Sequence, residues 1–265
     1  MPEAAVAALA AAALAAVVLG AAAPAAQGLT GPELFLRPRG FFLGPDATIT
    51  LPVFHGTFGA SEHAVPRARL IDLSLRGPGG RRPLDRATWT GRDPRSTIRV
   101  TVCVAGTYVV GVAIGPRTIG GESRAMAAKT LLAVTDAAGH LLPAATLRAG
   151  PVATQPVGHD AEIVPLVDPY ALAVGDTLPL QARLGGKPLA RWPLRAGGTV
   201  GTSAVAIPLQ TPTTDADGRA GIRLTHDGHW FVALVHRREA ATPKAVGDVS
   251  RGATLTFGLL PAGAR

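Results

Sequence analysis

Between Gly158 and Leu259 the chain never runs far without a turn signal, and that punctuation limits what it can fold into. VGDTLPLQARLGGKPLA, TTDADGRAGIRL, GHWFVALVH and ATLTFGLL are short apolar runs divided by Gly, Pro and Asp. Runs of this length, alternating with period two and bounded by turn formers, predict strands rather than helices. In GHWFVALVH, Trp230, Val232, Leu234 and His236 would share one face, and His229, Phe231, Ala233 and Val235 the other. Both faces are mostly apolar, so this strand is predicted to lie inside its sheet. GKPLA reads as a tight turn, and Asp217-Gly218 supplies the positive-φ positions of another.

The first half follows the same rule. ELFLRP reads as an edge strand stopped by Pro38. ATITLPVFH places Ile49, Leu51 and Val53 on one side, and RLIDLSLR sets Leu70, Asp72, Ser74 and Arg76 against Ile71, Leu73 and Leu75. TIRVTVCVAGTYVVGVAI is predicted to be a hairpin closing over Ala105-Gly106, with Cys103 pointing into a strand core. Residues 121–138 (GESRAMAAKTLLAVTDAA) carry Met126, Thr130, Leu131 and Val134 near helical spacing with Ser123 as a cap, and predict a helix. Residues 139–157, rich in Ala and Pro, read as a linker.

At the front, residues 4–26 are nearly all Ala, Val and Leu and end in APAAQG, the pattern of a secretory signal cleaved after Ala26. An uncleaved anchor helix is the alternative. With cleavage, the chain would be periplasmic or secreted and would not insert into the membrane. Cys103 is the single cysteine, which excludes an intrachain disulfide and a cysteine-rich zinc site. The net charge is +8, but its arginines are scattered and aromatics make up 5%, so a nucleic-acid partner is not expected.

The motifs GHDAEIVPLVDPY, GKPLA, TDADGRA and GHWFVALVH, in that order, resemble the DUF4198 family, as do LFLRP, GTYVVGVAI and AMAAKTLLAV in the first half. The family includes NikK-like periplasmic accessory proteins of nickel and cobalt uptake. The resemblance therefore implies binding of Ni²⁺ or Co²⁺ and a membrane metal permease complex as partner. Members with a metal role often begin the mature chain with a histidine before an LWL-like strand. This sequence has Gly31, Pro32 and Glu33 there instead.

Seven histidines supply the imidazoles that such metals favour. His55 and His63 flank a loop with Glu62 beside them. His159 opens the second half, close to Asp160 and Glu162. His226 and His229 surround Gly228 in HDGH. The candidate metal ligands are thus His55, Glu62, His63, His159, His226 and His229, each weighed against an ordinary loop or core role. For Glu162 the competing role is to accept hydrogen bonds from a turn. Asp215-Ala216-Asp217-Gly218 resembles the start of a calcium loop but has His226 where its closing acid belongs, so it is read as a turn. No GxSxG elbow and no phosphate loop is present.

The expectation is a mainly β protein of two immunoglobulin-like or transthyretin-like β-sandwich domains with one short connecting helix. Residues 1–26 form the signal, 27–118 the first sandwich, 119–157 the helix and linker, and 158–265 the second sandwich. Its expected function is non-catalytic: a Ni/Co-binding accessory of metal uptake. The alternative is a metal-free protein- or carbohydrate-interaction module of the cell envelope.

Overall fold

The computed structural model describes residues 33–119, 122–237, 249–261 and 263; the proposed signal and its cleavage site lie outside them. The chain forms β1 (Glu33–Leu36), β2 (Phe42–Leu43), β3 (Thr48–Gly56), β4 (Leu70–Gly77), β5 (Gly80–Pro83), β6 (Trp89–Arg92), β7 (Arg95–Thr101), β8 (Gly106–Ile119) and β9 (Glu122–Val134). After the one short helix, α1 (Ala144–Ala149), come β10 (Ala161–Pro165), β11 (Thr177–Leu184), β12 (Lys187–Pro188), β13 (Arg195–Val200) and β14 (Ala206–Gln210). β15 (Arg219–Arg223), β16 (Gly228–His236) and β17 (Val249–Leu259) complete it. The protein is mainly β, as its turn punctuation requires.

The frame is a nine-stranded sheet in the order β14-β13-β16-β17-β9-β8-β4-β5, with β2 beside the end of β9. Strands from both halves of the chain meet in it, because β17 lies parallel to β9, Val249 opposite Ser123 through Thr256 opposite Thr130. Two smaller sheets pack against it: β1-β3-β7-β6, and β10-β11-β12 with β15 also paired to β11. Alternating residues of β8 and β9 feed different cores, since neighbours along a strand point to opposite faces. Val110, Val112 and Leu132 join Leu51, Val53, Ile98 and Val100 of the first small sheet. Val109, Leu131 and Ala133 join Ile163, Leu178 and Leu180 of the second, together with Trp230, Val232, Leu234 and Phe257. The result is three layers, with the large sheet in the middle.

β16 is central, as the sequence predicts, lying between β13 and β17 with Trp230, Val232 and Leu234 fully buried. Burying each such side chain contributes roughly 1.5–3 kcal/mol. β3 also keeps its predicted phase, Leu51 and Val53 facing inward. In β4 a register shift between Leu70 and Asp72 turns Ile71 outward, so Leu70 joins Leu73 and Leu75 in the core. The turns agree in part. Gly185 and Gly186 (φ 56° and 75°) close the β11–β12 hairpin, which leaves Lys187 and Pro188 of GKPLA in β12. Of Asp217-Gly218 only Gly218 has a positive φ (71°), while Asp215 Oδ1 accepts from the amides of Asp217 and Arg219.

Three local expectations are corrected. Residues 122–134 are not a helix but β9, hydrogen-bonded on both sides by β8 and β17. The connecting helix lies instead at Ala144–Ala149, inside the stretch read as linker. The Ala105-Gly106 hairpin does not form: β7 pairs with β3 and β6, β8 with β4 and β9, and the chain crosses between two sheets there. Cys103 sits on that crossing and is exposed, so it is not a core residue.

Candidate functional site

The second core is joined to the large sheet through a belt of charged side chains. Its base is one row across three strands, with Ser74 of β4 opposite Gly111 of β8 and Gly111 opposite Lys129 of β9. Gly111 leaves a gap in the row: a Cβ there would stand 3.3 Å from both Ser74 Oγ and His159 Cε1. The missing side chain lets the imidazole of His159 lie over β8.

Residues 157–162 then cross the row. Glu162 accepts from Lys129 Nζ at 2.7 Å, from Val157 N–H at 2.7 Å and from Gly158 N–H at 3.0 Å. Both side chains of the ion pair are buried. Burial pulls Lys129 below its ordinary value, against the charge of Glu162. For Glu162 burial acts upward, but Lys129 and the two backbone amides outweigh it and hold the carboxyl below its ordinary value. Two residues of the β4–β5 hairpin finish the belt. Arg76 donates to Gln155 O and Pro156 O, and Arg81 pairs with Asp72 at 2.9 Å.

Asp72 is the hub of the hairpin side. Its Oδ2 accepts from Ser74 Oγ at 2.8 Å and lies 3.0 Å from His159 Nε2, while Arg81 takes Oδ1. Burial acts to raise Asp72, but the hydrogen bonds from His159 and Ser74 and the charges of His159 and Arg81 overcome it and leave the carboxyl lowered. A serine, an imidazole and a carboxylate thus converge, but in the order Ser–Asp–His. The carboxylate stands in the middle and accepts from both, whereas a Ser-His-Asp triad needs the imidazole next to the hydroxyl.

A cleft of about 420 Å³ opens beside this hub, lined by Ile71, Asp72, Arg81, Met126, His159 and Arg251 among others. Asp160 and Arg251 form an ion pair at its wall. On the far side of the β4–β5 hairpin is a second cleft of about 420 Å³, where Asp168 accepts from Thr107 Oγ1. Burial raises Asp168 above its ordinary value despite that bond.

The predicted ligands go to different places. His55 is a buried residue of β3 in the first small sheet, where burial and the charge of Arg69 lower its pKa. Glu62 and His63 are exposed on the following loop. His226 is part-exposed with Nδ1 2.9 Å from Thr225 Oγ1. His229 stands edge-on to Phe41, ring centres 4.9 Å apart, and is likewise lowered by burial and by Arg37. Only His159 enters the belt, on Asp72. Nickel or cobalt held by imidazoles needs several donors converging on one point. Among the described residues no three His, Cys, Asp or Glu side chains are grouped to hold an ion. The ligand set drawn from the sequence therefore does not fit such a metal here. Reading the residues alone missed Asp72, Ser74, Arg81 and Lys129, which no local spacing connects. The turn role of Glu162 was visible because its amide partners lie only four and five residues upstream.

No curated protein matches the chain. Among solved structures it is similar to dimeric latent PorU from Porphyromonas gingivalis, at 12% identity and a TM-score of 0.26, covering 87% of this chain and 20% of that one. It is also similar to the D0-D1 domain of intimin, at 16% identity and a TM-score of 0.23, over 85% of this chain and 97% of that one. Fibronectin(III)-like modules of Clostridium thermocellum CbhA follow at 8% identity and a TM-score of 0.22, over 85% and 92%. The chain thus spans about a fifth of PorU, and TM-scores this low leave the fold to be read from its own sheets. A family model decides more: it matches residues 32–238, most of the chain, and the protein belongs to the DUF4198 family, a domain of unknown function.

Proposed function

We propose that the protein is an exported, non-catalytic binding protein of the cell envelope, a metal-free module that recognises protein or carbohydrate. The observation that supports this reading is the Ser74–Asp72–His159 order. The serine, carboxylate and imidazole beside the cleft are bound to one another in an order that is not that of a Ser-His-Asp triad. The presentation of Ni²⁺ or Co²⁺ to a permease is the competing role. It draws on the family resemblance, while His159 is bound to Asp72, His226 to Thr225, and His229 packs on Phe41.

Titration of the purified chain with NiCl₂ and CoCl₂ separates the two. The expected result is a flat isotherm at micromolar protein. Stoichiometric, histidine-dependent uptake of either ion would replace the module reading with the metal one. Ester and glycoside substrates should be turned over no faster by the wild type than by Ser74→Ala. A loss of turnover in that variant would end the non-catalytic reading. Export is tested by cell fractionation, with the protein expected outside the cytoplasm.

A further inference from the structure

We propose that the solvent face of the first small sheet is a docking surface for an acidic polysaccharide. This names a partner for the binding-module reading and rests on it, but it uses a surface separate from the clefts. In β3 and β7 the inward positions are apolar or small except for His55; the outward ones are Thr48, Thr50, Pro52 and Phe54 on β3 and Arg95, Thr97, Arg99 and Thr101 on β7. Across the strands these form pairs: Thr48 beside Thr101, Thr50 beside Arg99, Thr90 beside Thr97, and Arg92 beside Arg95. Among the described residues, no acidic side chain lies on the outward face of β3, β6 or β7. Asp93, in the turn between β6 and β7, accepts the amide of Ala64. On β1 the same side is already covered, Phe35 by Phe58 and Phe231, and Glu33 by Arg195.

Two features of this face call for an anion. Arg92 and Arg95 are cross-strand neighbours, a like-charge pairing that destabilises a sheet unless something offsets it. Arg95 and Arg99 point the same way, four residues and so about 13 Å apart, which spreads positive charge along the strands. A guanidinium takes a carboxylate through two parallel hydrogen bonds. The threonine hydroxyls between them donate and accept, matching the hydroxyls of a sugar chain. Single-stranded nucleic acid fits less well, because it needs open aromatic faces for its bases. The part-buried Phe54 already has Arg37 and Arg95 over its ring, at 5.8 and 5.7 Å. A flat face of charge and hydroxyl suits an extended acidic glycan.

The test uses immobilised alginate, a polyuronate, with neutral dextran as the control matrix. The wild-type chain should bind alginate in a salt-sensitive way and pass through dextran. The variant Arg92→Glu/Arg95→Glu/Arg99→Glu changes only exposed positions. It should keep its far-UV spectrum and melting temperature and bind alginate about tenfold more weakly or worse. Lys187→Glu/Arg219→Glu/Arg223→Glu makes the same charge change on exposed positions elsewhere and should bind nearly as wild type. Arg81→Ala alters both clefts and should also bind as wild type. Equal losses in the two triple variants would reduce the effect to net charge and overturn the proposal. So would a wild-type chain that ignores alginate, or one that prefers single-stranded DNA. Loss with Arg81→Ala alone would move the glycan to a cleft, leaving the module reading standing and this surface wrong.

Discussion

The two cores on either side of the large sheet are held by different forces. The first is almost wholly apolar: Leu34, Leu51, Trp89, Ile98 and Val112 meet without a charged group between them, and Trp89 satisfies its indole on Val65 O. The second contains just as much apolar material but docks through Lys129–Glu162, Asp72–His159 and Thr107–Asp168. Apolar contact is non-directional, whereas a buried ion pair demands one register. The first core therefore depends on volume, and the second on placement. The segment that needs placing is the crossing at residues 157–162, which must find one row of a long and otherwise uniform sheet.

This contrast can be broken, and the largest effect should come from the belt. Lys129→Met leaves Glu162 buried without its partner and should cost about 3–5 kcal/mol in denaturant unfolding. Adding Glu162→Gln removes the buried charge, and its one carbonyl oxygen still accepts one of the two amides that Glu162 holds, so part of that loss should be recovered. A double variant no better than the single would show that the pair is not the docking device. In the first core Leu51→Ala should cost about 2–5 kcal/mol through lost contact and cavity. That cost should not change with pH or salt.

Acid sharpens the comparison further. Asp72 and Glu162 have folded pKa values below their ordinary ones, so their contribution is complete above the usual carboxylate range, about pH 4, and is lost as pH falls through the lowered values. Asp168 acts oppositely, since its raised pKa makes the folded state take up a proton first. Asp72→Asn should flatten the acid limb of a melting-temperature profile. The first core responds in a different window. Burial, and then the charge of Arg69, lower the folded pKa of His55, so the unfolded chain protonates first and stability falls as pH drops below about 6.5. His55→Leu should remove that slope, and an unchanged slope would assign it to His229. The smallest effect belongs to the exposed Cys103, where Cys103→Ser should stay within about 0.5 kcal/mol by thermal unfolding.

How far the sequence discloses this molecule depends on how local each signal is. Turns and amphipathic strands were legible because a few adjacent residues determine them, as in the Asp215 turn and in Leu51 and Val53. β9 was not, and the reason is physical. Ala, Met, Lys and Leu favour helix where packing does not decide, and a strand buried on both faces lacks the polar alternation that would identify it. Only the neighbours β8 and β17 make residues 122–134 a strand, and β17 lies more than a hundred residues downstream. Cys103 was misplaced for a related reason: VTVCVAGTYVV alternates smoothly, yet the chain leaves one sheet and enters another within it. The belt was least legible, since Asp72 and His159 are 87 positions apart. The histidines drew attention as potential ligands, while the carboxylate that organises one of them had no local mark.

The parallel seam between β9 and β17 also dictates an order of events. A chain emerging from its N-terminus first must hold residues 123–130 of β9 with one edge unpaired through the synthesis of residues 135–248, because β2 covers only Ala133 and Val134 and β17 follows later. During that interval the nascent protein offers an open, apolar strand edge of the kind that recruits wrong partners. Maturation should therefore be sudden and late, gated by arrival of the final strand, and a holding chaperone that masks the waiting edge should raise the yield more than one that speeds any single step.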